Sequence, residues 1–197
     1  MKFSSREIKD LIFAGLMISL AFAILLSGGY EAFFSLNSSL LISFAVAFFT
    51  AGTGFLLHEM MHKYVAQKYK IAAEFHAFYN MLWLALVFSL FGFIIAAPGA
   101  VFMRGKINKE KNGKISLAGP MTNIILSILF LSGLIFANNL SSIYLLSIGF
   151  KINSLLAVFN MIPLMPFDGA KVFVWNKKAY WITTIISIVL FIISSSA

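Results

Sequence analysis

His58 and His62 stand four residues apart, with Glu59 beside the first of them, in the run His58-Glu59-Met60-Met61-His62. On an α-helix that spacing projects both imidazoles from one face about one turn apart, where they can bind the same cation. Imidazole is a preferred ligand of Zn²⁺, and a carboxylate next to the first histidine can take a proton from water activated there. The expected cofactor is one Zn²⁺ per chain, with Glu59 as the acid/base group. A catalytic zinc usually takes three protein ligands and keeps one position open. The chain has no cysteine, so disulfides and thiolate chemistry are excluded and the third ligand must be His, Asp or Glu. The plain alternative is a pair of interfacial histidines anchoring a helix end beside Lys63. With three histidines in the whole chain, chance placement of two at this spacing is a poor explanation.

The composition indicates where the helix carrying this run resides. Of 197 residues, 60% are hydrophobic and 11% charged, and the mean hydropathy is +0.93. A soluble domain of this size needs far less apolar surface, so the chain reads as an integral, multi-pass membrane protein in contact with the lipid bilayer. The net charge of +8 comes from basic residues close to the ends of apolar stretches or in short loops. That placement suits orientation in a membrane, and no nucleic-acid partner is expected. Apolar segments lie at residues 11–26, 40–57, 81–97, 115–137, 143–164 and 180–193. Lys2, Arg6 and Lys9 before the first of them superficially resemble a secretory signal. A retained helix is preferred, because the run exceeds a typical signal core and reaches the lower limit for a span.

The fold class that follows is an all-α membrane protein of about five to six transmembrane helices, forming a single polytopic domain over residues 1–197. Its catalytic core covers about 40–175, and a re-entrant or β-hairpin segment covers about 80–104. The connections 27–39 and 138–142 lack Lys and Arg while the others are basic, which places the amino terminus and the ends of the site-bearing helices toward the cytosol. Both sides of segment 81–97 are basic, so that segment is expected to enter the membrane and return. Pro98-Gly99 between β-branched and aromatic runs suits a hairpin. A tilted or half-embedded helix ending at Pro98-Gly99 fits equally well. A strand edge there could pair with an extended peptide, with Gly99 and Ala100 as backbone partners. Lys151 is expected to separate an interfacial stretch, 143–150, from a descending helix, or else to snorkel out of a continuous one.

Of seven acidic residues, Glu7, Asp10, Glu31, Glu74 and Glu110 read as members of tails or polar connections. Glu59 and Asp168 remain at the ends of apolar segments and need an explanation. For the third ligand, Glu31 falls on the wrong side, and His76 lies in a polar-aromatic connection. Asp168 falls on the same side as His58 and His62, flanked by Pro166 and Gly169, which free the backbone there.

His58 to His62, together with Asn160-Met161-Ile162-Pro163-Leu164-Met165-Pro166-Phe167-Asp168-Gly169, resembles the site-2 protease family of intramembrane zinc metalloproteases. Ala118-Gly119-Pro120-Met121-Thr122-Asn123 is similar to a helix opening of that family. The resemblance covers roughly residues 52–174, and it is to a compact form without PDZ or CBS domains. It implies His58, His62 and Asp168 as zinc ligands and Glu59 as acid/base. Two departures stand out: Met61 where a small residue often precedes the second His, and Ala170 where many members have a second Gly.

The implied activity is regulated intramembrane proteolysis, in which a zinc metalloendopeptidase cleaves a membrane-protein substrate within its transmembrane helix. Such a helix must unwind first, because its amides are hidden in its own hydrogen bonds. Asn160 and Asn123 are possible hydrogen-bond partners for the ligands or the substrate backbone. Ordinary helix contacts explain Asn160 equally well and Asn123 better. The competing function is a zinc-binding membrane adaptor or metal carrier, which has no need of Glu59. A purely structural membrane protein would bind no metal. Oligomeric state and substrate identity are not encoded in any pattern found.

Overall fold

The computed structural model describes the chain except for Leu36, Asn37, Ile95, Ala96 and Ala197. The elements in order are α1 (Ser5–Ser27), α2 (Tyr30–Ser35), α3 (Ser38–Ala47), a π-helical turn (Phe48–Gly52), α4 (Thr53–Lys68), β1 (Ala72–Ala77), α5 (Tyr79–Leu90), β2 (Gly99–Arg104), α6 (Lys109–Leu134), α7 (Leu140–Asn160), α8 (Asp168–Trp175) and α9 (Lys177–Ser196). Among the described residues, five helical stretches are long and apolar enough to cross a membrane: Ser5–Ser27, Ser38–Lys68, Lys109–Leu134, Leu140–Asn160 and Lys177–Ser196. The protein is therefore an all-α membrane protein with one small two-stranded sheet. Large apolar side chains such as Ile12, Leu41, Leu129 and Ile192 are exposed along these helices, as lipid-facing positions must be.

The chain divides into two compact units, Met1–Leu56 with Glu74–Phe102, and Leu57–Ala73 with Met103–Ala197. In the first, α1 is capped by Ser4, whose side chain accepts from the Glu7 amide. It packs along α3 and the π turn, where Gly52 leaves room for the Ser19 hydroxyl. Glu7 and Asp10 do not lie in a tail, as their positions in the sequence suggested. Both are buried in the first turns of α1, and they accept backbone hydrogen bonds from one edge of β1. The Phe75 amide donates to Glu7 Oε1 at 3.0 Å, the Ala77 amide to Asp10 Oδ2 at 3.1 Å, and the Tyr79 hydroxyl to Asp10 Oδ1 at 2.5 Å. Strand amides with no neighbour strand need an acceptor, and two helix carboxylates supply it.

β1 pairs with β2, and α5 lies between them in sequence. At 12 residues, α5 reaches only about 18 Å, well short of a ~30 Å hydrocarbon core. The excursion begins and ends at the same place, since the Phe78 amide donates to the Pro98 carbonyl at 3.0 Å. The chain on either side of α5 thus meets again at the small sheet. Of the two readings of this segment, the hairpin had its first arm partly on Ile95 and Ala96, outside the described residues; β2 follows Pro98 but pairs with β1, upstream of α5. Phe91 and Gly92 form a turn instead. His76, also in β1, has Nδ1 3.8 Å from Asp10 and Nε2 3.9 Å from Glu74, and its ring meets Phe102 edge-on.

The second unit is built on α6. Apolar burial gives little drive where the solvent is lipid, so helices associate through close packing at small residues. Gly149 of α7 takes the Phe130 ring against its backbone, Gly133 of α6 takes Leu146, and Gly113 of α6 takes Trp175 of α8. Ile124, Phe150, Ala157 and Leu190 form the core between α6, α7 and α9. Met161, Val172 and Tyr180 form a second cluster around α8. α7 runs unbroken through Lys151, contrary to the expected break and in agreement with the snorkelling alternative. Lysine is a good helix former and its long stem can carry the ammonium to a polar level without interrupting the backbone.

Candidate metal centre

Three side chains from two elements converge in the second unit. His58 and His62 come from successive turns of α4, and Asp168 is the first residue of α8. His58 Nε2 and His62 Nε2 are 2.9 Å apart, and Asp168 Oδ2 is 3.3 Å from the first and 3.0 Å from the second. All three are buried. Ligands on a tetrahedral zinc at ~2.0 Å lie about 3.3 Å from one another, close to these separations.

Proton placement makes the case for a cation stronger than distance does. His58 Nδ1 faces Asn123 Oδ1 at 2.6 Å, and His62 Nδ1 faces the Ile115 carbonyl at 2.8 Å. Both partners are acceptors, so each Nδ1 must donate, and in a neutral imidazole the remaining Nε2 is then a lone pair. Two lone pairs and a carboxylate oxygen converge on one point, an arrangement that repels itself until a cation fills it. The residues present fit a zinc ion.

Local sequence explains each placement. Gly119 of α6 faces both rings, and a Cβ there would overlap His58 Nε2 and His62 Nε2. Pro120 cannot donate to Ser116, so this turn of α6 is one rung short beside Ile115, whose carbonyl receives His62. Gly169 presses against the Met161 and Ile162 carbonyls, where a Cβ would not fit, and so seats the start of α8. Asp168 thus occupies the first turn of a helix, where the backbone amides favour a negative charge. Its second oxygen, Oδ1, lies 3.5 Å from Lys171 Nζ.

Glu59 follows His58 on α4, half-buried, with His58, Asp168 and Lys171 as its electrostatic neighbours. Met61 is exposed at 37%, so its bulk points away from the cluster. Asn160, the last residue of α7, donates to the Leu156 carbonyl of its own helix at 3.0 Å. Gly99 and Ala100 lie in β2 and His76 in β1, while Glu31 is in α2. Asn123 contacts His58 directly, although helix packing was the preferred reading for it. Asn153 was not singled out by the sequence, and Gly119 stood out only as part of the run Ala118 to Asn123 that resembles a family helix opening. A polar amide such as Asn153 in the middle of an apolar helix is itself a signal.

Gly119→Ala gives a direct check of the cradle. Forcing a methyl against both rings is expected to weaken zinc binding by about 10- to 100-fold, the range of overpacking costs. The same overlap exists without metal, so the metal-free variant is also expected to lose stability, by about 1 to 3 kcal/mol, less whatever alanine returns as the better helix former. Chelator competition and thermal unfolding of the metal-free variant measure the two effects separately.

No protein-family model matches the chain, and no solved structure matches it. Among curated proteins, "Putative zinc metalloprotease MJ0611" of Methanocaldococcus jannaschii is 42% identical over 178 residues, covering 89% of this chain and 87% of that protein. "Zinc metalloprotease MJ0392" of the same organism is 33% identical over 132 residues, covering 66% of this chain and 34% of that protein.

Proposed function

The chain belongs to the zinc metalloprotease family of these archaeal relatives, and from that premise we propose that it is an intramembrane endopeptidase of the site-2 protease type. The observation that carries this reading is the placement of His58, Glu59 and His62 on a helical stretch, Ser38–Lys68, that is long and apolar enough to span a bilayer. A soluble protease has no reason to build its metal-binding helix from lipid-facing residues. The substrate proposed is a membrane protein cleaved within a transmembrane segment. The distribution of Lys and Arg supports a cytosolic amino terminus and a site opening toward the cytosol, since all 15 basic residues except Lys151 belong to connections or helix ends assigned to that side.

His58, His62 and Asp168 hold the metal. When bound, zinc supplies a Lewis acid that polarises the scissile carbonyl and lowers the pKa of water. Glu59 accepts the proton from the attacking water as its oxygen bonds to the carbonyl carbon. Glu59 then delivers that proton to the amide nitrogen as the C–N bond breaks. Lys171 and the start of α8 keep Asp168 anionic throughout. The substrate arrives as a strand, because a helix conceals its carbonyls. Of the two edges of the small sheet, that of β1 is occupied by Glu7 and Asp10, which leaves β2, with Gly99 and Ala100, as the edge for an extended peptide.

The test is a pair of reporters carrying the same cleavable sequence, one within a transmembrane helix and one in a soluble extended linker. Zinc-dependent cleavage of the membrane reporter in vesicles is expected. A protein that cuts only the soluble reporter would not be an intramembrane enzyme.

A further inference from the structure

We propose that Asn153 is a positioning residue that fixes the proton on His58 through Asn123, and so keeps His58 Nε2 available for metal. The inference rests on the zinc reading of the site and concerns a residue outside the ligand set.

The relay starts at an atom whose role cannot be exchanged. Asn153 Nδ2 lies 2.9 Å from the Gly149 carbonyl oxygen, and a backbone carbonyl only accepts, so the amide must present its NH₂ group there. Asn153 Oδ1 then faces Asn123, whose Nδ2 donates to it at 3.1 Å. That donation turns the Asn123 carbonyl oxygen toward His58 Nδ1, at 2.6 Å. An amide oxygen only accepts, so the proton sits on His58 Nδ1 and the lone pair on Nε2. Each step permits one orientation of the next. A main-chain carbonyl on α7 thereby sets the tautomer of a histidine on α4, by way of α6.

The packing shows why the relay holds its geometry. Asn123 and Asn153 are both fully buried, where an amide cannot turn without abandoning a hydrogen bond to nothing better. Phe130 lies two turns beyond Asn123 on α6 and rests on Gly149, where any Cβ would overlap its ring. The same glycine that supplies the anchoring carbonyl therefore lets α6 and α7 approach closely enough for the two asparagines to meet. Ligand histidines elsewhere are usually oriented by a partner on the other ring nitrogen, and loss of such partners costs about 10- to 100-fold in metal affinity or activity. Here the partner, Asn123, is itself held in orientation by a second amide.

The experiment uses the full-length protein in detergent, with zinc affinity read by chelator competition. Asn153→Leu is expected to weaken zinc binding by roughly tenfold or more. Asn153→Ser, whose hydroxyl can donate to Gly149 and still accept from Asn123, is expected to lose less. Adding Asn153→Leu to Asn123→Leu should cause no further loss, because both act through one chain of hydrogen bonds. If the leucine does not fold, Asn153→Ala takes its place with the same thresholds. A role confined to packing would lower the melting temperature of the metal-free protein and leave the zinc affinity within about twofold of wild type. That result overturns the relay, as do fully additive losses in the double variant. Wild-type protein that binds no zinc at all would overturn the metal reading beneath it.

Discussion

Glu59→Gln is expected to lower the rate of cleavage of a transmembrane reporter by about 10²- to 10⁴-fold, the range for loss of a positioned general acid/base. The zinc content should not change. Glutamine matches glutamate in size and keeps one acceptor oxygen, but its amide cannot take up a proton and return it to a leaving amine. Glu59 is not among the three convergent donors, which are His58, His62 and Asp168, so the metal site should survive. Rate and zinc content together separate the enzyme from its main rival. A membrane adaptor or metal carrier would bind zinc equally well before and after the substitution and cleave nothing in either form. Undiminished, zinc-dependent cleavage by the variant would remove Glu59 from the mechanism.

Asp168→Asn should have the opposite pattern, with zinc lost and the protein left intact. Asp168 Oδ2 lies within 3.0 and 3.3 Å of the two imidazole nitrogens and contributes the only negative charge among the three donors. Removing one partner of a buried charge cluster costs on the order of 3 kcal/mol, or about a hundredfold in affinity. Without metal, the native side chains present three acceptors to one another. An asparagine that turns its NH₂ group inward would donate to both Nε2 lone pairs and relieve that repulsion. The metal-free variant should therefore melt at or above the temperature of the metal-free wild type, by an amount near 1 kcal/mol. Chelator competition and thermal unfolding of both forms check the pair of effects. A variant that binds zinc at wild-type affinity would remove Asp168 from the ligand set.

Much of this site is legible in the sequence because it depends on short-range spacing. His58 and His62 are four apart on one helix, and their meeting needs nothing beyond helical geometry. Asp168 lies 110 residues from His58. It was reached by a different route, from the rarity of carboxylates at the ends of apolar segments and the distribution of basic loops. The parts that were not legible depend on contacts between elements. Glu7 and Asp10 look like ordinary residues of a charged tail until β1 places its amides beside them. Gly119 belongs to a run that resembles a family helix opening, but its contact is legible only when two imidazoles from α4 occupy the space its Cβ would take. The strand partner of β2 was not legible because turn chemistry at Pro98-Gly99 is local, whereas the pairing of β1 with β2 spans the whole of α5. At Lys151 the charge left two readings open, an interfacial break or a snorkelling lysine, and the continuous α7 agrees with the second.

The central claim is that a zinc ion is held by α4 and α8 in a membrane-spanning part of the protein. Anomalous scattering measured on either side of the zinc absorption edge, from crystals of the full-length protein, tests it most directly. The expected result is a single peak about 2.0 to 2.2 Å from His58 Nε2, His62 Nε2 and Asp168, which vanishes in His58→Ala. No peak between these three residues, or one that persists when His58 is removed, would contradict it.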